Sequence, residues 1–152
     1  MGASPSNMDK LTIRAFMTAA PRTIGARQPL AQASLLMREH HIRHLPVLDG
    51  GRLVGVVSER DIAHASARPG FHGERLMVAE AMTVTPHIVS PETSLEWAAA
   101  EMAQHKFGCL VVVDHQRVVG IFTTVDAVRA LQELLGRARR RRRPIKASSL
   151  LD

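Results

Sequence analysis

Apolar residues recur at helical spacing in two separated stretches of the chain. In PLAQASLLMREHH (29–41) they fall at Leu30, Ala33, Leu36 and Met37, and in SLEWAAAEMAQHK (94–106) at Leu95, Ala98 and Met102. Both stretches predict amphipathic helices, and Ser94 is placed to cap the second. Each is followed by two nearly continuous aliphatic runs, HLPVLDGGRLVGVV and CLVVVDHQRVVGIF. Such runs predict strand pairs covered on both faces. Asp49-Gly50-Gly51 is a strong turn signal between the first pair, and Asp114 to Gln116 a weaker one between the second. ERDIAHASA and TVDAVRALQELL then read as closing helices, the latter expected to stop at Gly136. Short extended pieces, RTI and HIV, precede the two amphipathic helices, and SARPGFHGERL is a polar connector.

The pattern is one unit written twice. A shift of 65 residues aligns 17–62 with 82–127 without a gap, giving 14 identities in 46 positions. Met17-Thr18 falls on Met82-Thr83, Gly55 on Gly120 and Asp61 on Asp126. A repeat at this period is a duplicated supersecondary unit. The order strand, helix, strand, strand, helix, used twice, predicts an α/β (α+β) fold around a pseudo-twofold axis. About 50 residues bury too little surface to stand alone, so the two halves are expected to share a core. The chain divides into a leader (1–11), a first repeat (12–68), a linker (69–76), a second repeat (77–135) and a basic tail (136–152).

Composition changes this picture little. The 152 residues include four Phe, one Trp and no Tyr, so the core must be aliphatic. No apolar run nears the roughly 18 residues of a membrane span. No secretory signal pattern opens the chain, so a cytoplasmic location is expected. The net charge of +6 lies entirely in residues 137–152, so the alkaline pI describes a tail and not the body. Cys109 opens an aliphatic strand and reads as a small buried hydrophobe.

Two sites of the repeat carry candidate chemistry: GVVSERDI (55–62) and GIFTTVDA (120–127) share the pattern G-h-h-[ST]-x-x-D, where h is apolar. The spacing [ST]-x-x-D is a capping box, in which hydroxyl and acid satisfy the first N–H groups of a helix. The same geometry offers helix N–H groups and a hydroxyl to a phosphate, and a carboxylate to the paired hydroxyls of a ribose. Glycine ahead of the strand end would let a ligand approach the backbone.

With these motifs in an ordered, ungapped pair, the sequence resembles the paired cystathionine beta-synthase domains, also called CBS pairs or Bateman modules. The resemblance rests on MT…P…TI and HLPVLDGGRLVGVVSERDI, with their echoes MT…P…IV and CLVVVDHQRVVGIFTTVDA, and covers residues 12–131. It implies a disc-like pair of domains with two clefts that bind adenosyl nucleotides such as AMP, ADP or ATP, sometimes S-adenosylmethionine or NAD-type ligands. It assigns the ribose to Asp61 and Asp126 and the phosphate-side hydroxyl to Ser58 and Thr123. It assigns the base to Thr23-Ile24 and Ile88-Val89, and places Arg43-His44 and Gly108-Cys109 near the clefts. Arg43, His44 and Arg60 equip the first cleft better for phosphate charge, because the second has Thr124 and Val125 inside its motif. The implied role is a non-catalytic regulatory module, needing no cofactor, with the nucleotide as its regulatory ligand; a homodimer is expected because the apolar faces and small size favour further burial.

The remaining features are weighed singly. His40, His41 and His44 cluster in sequence without metal-ligand spacing, and no nucleophile has an identifiable base. Met17, Met37, Met77, Met82 and Met102 read as core filler, and Trp97 as core or dimer-interface mass. The run Arg139, Arg140, Arg141, Arg142, Arg143 is either a solvated tail or a non-specific, salt-sensitive contact for nucleic acid or another acidic partner. A purely structural dimerisation module is the other alternative.

Overall fold

The computed structural model describes residues 11–142. A short strand β1 (Thr18–Ala19) opens the first repeat. The first runs β2 (Ile24–Gly25), α1 (Leu30–His40), β3 (His44–Asp49), β4 (Arg52–Ser58), α2 (Glu59–Ser66). The second runs β5 (Ile88–Val89), α3 (Leu95–His105), β6 (Cys109–Asp114), β7 (Arg117–Thr123), α4 (Thr124–Arg141). The predicted order of elements is therefore present twice. In each repeat the short strand lies parallel to the first hairpin strand, giving the order β2-β3-β4 in one sheet and β7-β6-β5 in the other.

The sheets are not independent. β1 opens the first repeat but extends the second repeat's sheet, with Thr18 opposite Ile121 and Ala19 opposite Gly120. Thr83, near the start of the second repeat, returns the exchange through a bridge to Val56. These crossings explain the repeated glycine. A Cβ built on Gly55 would lie 2.6 Å from the Thr83 carbonyl oxygen and 2.8 Å from Met82 Sδ. One on Gly120 would run into Met17 Sδ. The glycines make room for the other repeat's Met-Thr segment, which corrects the expectation that they admit a ligand.

The core that the halves are expected to share is built as two clusters with a layer between them. Each repeat has its own aliphatic cluster, one around Leu30, Leu45, Val47 and Val57, the other around Leu95, Leu110, Val112 and Phe122. Each cluster borrows one fully buried residue across the pseudo-twofold axis. Ile13, from a 3-10 turn (Ile13–Ala15) at the start of the first repeat, is fully buried in the second repeat's cluster. Val78, from the matching turn (Val78–Glu80), is fully buried in the first's. Burial of one such side chain stabilises by about 1.5–3 kcal/mol. Pro46, Val56, Val111 and Ile121 belong to neither cluster yet are buried. By strand alternation they lie on the opposite sheet faces, where β4 touches β7, and they form the one layer that the repeats truly share.

Three local expectations change. Helix α4 does not stop at Gly136 but continues to Arg141. A mid-helix glycine costs about 1 kcal/mol. Here Arg137 offsets it, donating a hydrogen bond to Glu133 Oε1 at 2.6 Å and stacking its guanidinium 5.9 Å above the Phe16 ring. Met77 is 41% exposed and is not core filler, and Trp97, 50% exposed, is not core. Met37 and Met102 are buried in the two clusters as expected. Among the described residues, no helix is long and apolar enough to cross a membrane.

Candidate functional site

Both [ST]-x-x-D motifs fold as capping boxes. Ser58 caps α2: its Oγ accepts from the Asp61 N–H at 3.0 Å, and Asp61 Oδ2 accepts from the Ser58 N–H at 2.8 Å. Thr123 caps α4 in the same way, with distances of 3.3 Å and 2.9 Å. The sequence rule for helix starts thus holds at both positions, and the difference between them lies outside the motif.

At Asp126 the carboxylate is closed off. The residue is 4% exposed, the one buried charged residue of the described chain. Oδ2 accepts from the Thr123 N–H and lies 3.1 Å from the Thr123 hydroxyl, while Oδ1 accepts from the Thr18 hydroxyl at 3.0 Å. Arg129 stands 3.9 Å from Oδ1. Both oxygens are therefore committed to the protein, one of them to the crossing segment from the first repeat.

At Asp61 the surroundings are open. The residue is half-buried, and among the described residues its Oδ1 has no hydrogen-bond partner. In front of it lies a cavity of about 650 Å³. Its wall takes Arg43, His44, Ser58, Glu59, Arg60 and Asp61 from the first repeat, and Lys106, Gly108 and Thr124 from the second. Arg43, His44, Ser58, Arg60 and Asp61 are thus brought together as the sequence suggests.

His44 marks the seam between the repeats. A Cβ on Gly108 would fall 3.0 Å from His44 Nε2, so the imidazole of the first repeat packs closely on the second repeat's backbone. Burial lowers the His44 pKa, opposed by the nearby Asp61 carboxylate. The position equivalent to His44 is Cys109, whose thiol is pushed up to about 12 by burial and is inert at neutral pH.

The other expected residues lie elsewhere. Thr23 borders a small surface pocket with Ala20, Pro21, Arg22 and Leu36, not the Asp61 cavity. Ile24 and Val89 turn into their repeat's core, which leaves their main chain as the part able to meet a base, while Ile88 is 55% exposed. Arg139, Arg140, Arg141 and Arg142 are exposed at the end of α4. Arg143 lies outside the described residues. Sequence reasoning missed Lys106, Glu59, Thr83 and Thr124 as wall residues. The 65-residue register carried a usable signal, because it sets Lys106 opposite His41 and Thr124 opposite Glu59 beside the same motif.

Comparison with known proteins agrees with this architecture. The CBS domain family model matches residues 13–68 and 78–133. The CBS domain-containing protein YhcV of Bacillus subtilis is 33% identical over 115 residues, which is 76% of this chain and 81% of that protein. Among solved structures, CBSX2 in complex with AMP superposes with a TM-score of 0.72 at 31% identity, covering 81% of this chain and 97% of that one. The CBS domain pair of protein MJ0100, in complex with 5′-methylthioadenosine and S-adenosyl-L-methionine, gives a TM-score of 0.73 at 27% identity over 81% and 97% of the two chains. The chain belongs to the CBS domain family, as a pair of CBS repeats.

Proposed function

We propose that this protein is a regulatory module, without catalysis of its own, that binds one adenosyl nucleotide per chain in the cleft of the first repeat. The observation that carries the reading is Asp61, half-buried at the edge of a large cavity with Oδ1 free to accept from a ribose diol. Ser58 and the first turn of α2 offer a hydroxyl and backbone donors beside it, the chemistry that suits a phosphate. The AMP complex of CBSX2 and the adenosyl ligands of MJ0100 support an adenosine-based ligand in this fold. In the second cleft Thr18 already satisfies Asp126, which supports occupancy of the first cleft alone.

A ligand in this cavity touches both repeats, so its binding free energy differs between arrangements of the repeats and shifts their population. The state is passed on through a homodimer. Val128, Leu131 and Leu135 are large, exposed and spaced to lie along one side of α4, an apolar strip suited to a second copy. The arginines at the end of α4 support a separate acidic-partner role less well. Consecutive helix residues turn by about 100°, so the guanidinium groups spread around the axis instead of forming one basic face.

Titration calorimetry with AMP tests the site. Asp61→Ala is expected to weaken binding by about 1.5–3 kcal/mol, the range for hydrogen bonds to a charged group, with stoichiometry near one per chain in the wild type. Equal affinity in the two proteins would remove Asp61 from the site. Absence of thermal stabilisation by AMP, ADP, ATP and S-adenosylmethionine alike would leave a structural dimerisation module.

A further inference from the structure

We propose that the leader, residues 1–10, folds back over the second repeat and fills an apolar groove between α3 and α4 with the Met8 side chain. The groove has a volume of about 240 Å³, and every residue of its wall except Glu96 is apolar. Leu11, Leu95, Ala99, Ala130 and Leu131 are among them. It shares no wall residue with the cavity beside Asp61, so the inference stands apart from the nucleotide reading.

The first repeat shows which part of the chain covers such a place. The 65-residue register continues upstream of the aligned stretch. The Leu76 carbonyl accepts from the first N–H of α1, that of Leu30, at 2.7 Å, and the Leu11 carbonyl accepts from that of Leu95 in α3 at 3.0 Å. Three residues before Leu76, the Gly73 carbonyl accepts from the Ala31 N–H at 2.9 Å, and two residues earlier Phe71 packs on the first cluster. Phe71 shares a pocket wall with Ala65 and Leu76, whose counterparts Ala130 and Leu11 line the groove of the second repeat. The linker thus closes over the first repeat what lies open on the second.

The same register sets Ser6 opposite Phe71 and Met8 opposite Gly73, so the bulky side chain has moved by two positions. A Cβ on Gly73 would lie 3.3 Å from the end of the Phe71 ring and 3.5 Å from Ala31 Cβ. A side chain there enters the volume that Phe71 takes. With serine in place of the phenylalanine that volume is free, and an unbranched, adaptable methionine suits it. The backbone calls for the same segment. Glu96, in register with Ala31, has no hydrogen-bond partner for its N–H among the described residues, and the Met8 carbonyl stands in register with that of Gly73. Only Asp9 and Lys10 separate Met8 from Leu11, itself part of the groove wall, so the reach is short.

Amide hydrogen exchange on the full chain tests the docking at Glu96. Its N–H is expected to exchange about fivefold slower than in a chain that begins at Lys10, the effect of one hydrogen bond. The Ala98 N–H, bonded to the Ser94 carbonyl, is expected to be unchanged. Met8→Ser is expected to lower the melting temperature by about 2–6 °C, and Met8→Leu to keep it. In an Ala99→Phe background, where the wall itself fills the groove, Met8→Ser is expected to be silent; the melting curve of Ala99→Phe alone checks that it is folded. Equal exchange at Glu96 with and without the leader would overturn the proposal, as would a Met8→Ser variant as stable as the wild type. Protection that survives removal of the leader and is lost on removing residues 143–152 would give the groove to the tail instead. Protection that rises with protein concentration would give it to a second copy, and either result overturns the leader as occupant.

Discussion

The two clefts are built from the same motif and differ in what stands over it. Thr18 and Thr83 occupy equivalent places in the crossing segments, yet the Thr18 hydroxyl is hydrogen-bonded to Asp126 while Thr83 borders the open cavity beside Asp61. One carboxylate has become part of the protein's interior, and the other remains available to a ligand. Both carboxylates cap a helix, and whether one keeps an oxygen free is decided by a neighbour about a hundred residues away in sequence.

The sharpest way to break the comparison is to remove each carboxylate in turn. Asp126→Ala strips acceptors from the Thr123 N–H and the Thr18 hydroxyl in a buried place, and is expected to destabilise by about 2–4 kcal/mol. Asp61→Ala, at a partly solvated cap, is expected to cost about 1 kcal/mol while abolishing most nucleotide affinity. Chemical denaturation of both variants checks this, and equal stability losses would erase the distinction between a structural and a functional acid.

The hairpins provide a second, smaller contrast. Gly50 and Gly51 turn the first at φ 57° and 79°, whereas His115 and Gln116 turn the second at 49° and 66°. Left-handed backbone costs a non-glycine residue about 1–2 kcal/mol. Replacing His115-Gln116 by Gly-Gly is therefore expected to raise stability by about 1 kcal/mol, and placing His-Gln at 50–51 to lower it similarly. Paired melting curves read the result.

The weakest effect separates His44 from its counterpart Cys109. Because burial lowers the His44 pKa, the unfolded chain takes up the proton first as pH falls below the ordinary value of 6.5. Stability from this group is present above that pH and declines as pH drops through it toward the folded-state pKa. Unfolding measured across the range from neutral to mildly acidic pH should show this slope in the wild type and lose part of it in His44→Cys, which copies the second repeat. An unchanged slope would mean that other groups govern the acid side.

Much of this was legible in the sequence, because a duplicated pattern testifies twice to each element. The helices around Leu30 and Leu95, the hairpin strands and the caps at Ser58, Ser94 and Thr123 all follow from periodicity and capping chemistry. The strand Thr18–Ala19 was not legible. It is two residues long, and its partners Ile121 and Gly120 supply all of its identity as a strand. Gly136 misled because a C-terminal glycine signal is local, while Arg137 finds Glu133 and Phe16 once the helix has formed. The unequal fate of Asp61 and Asp126 was hidden for a related reason: the motifs match, and burial is a property of the assembled pair.

The exchange of Ile13 and Val78 between the clusters has a consequence for how such a protein could arise or be cut. Each half offers a peg whose socket is in the other half, so the smallest self-sufficient object is two halves facing one another. A lone half would find its missing piece in a second lone half, and the polar loop joining them here serves mainly to guarantee that they meet. Severed at that loop, the halves should therefore still seek each other out.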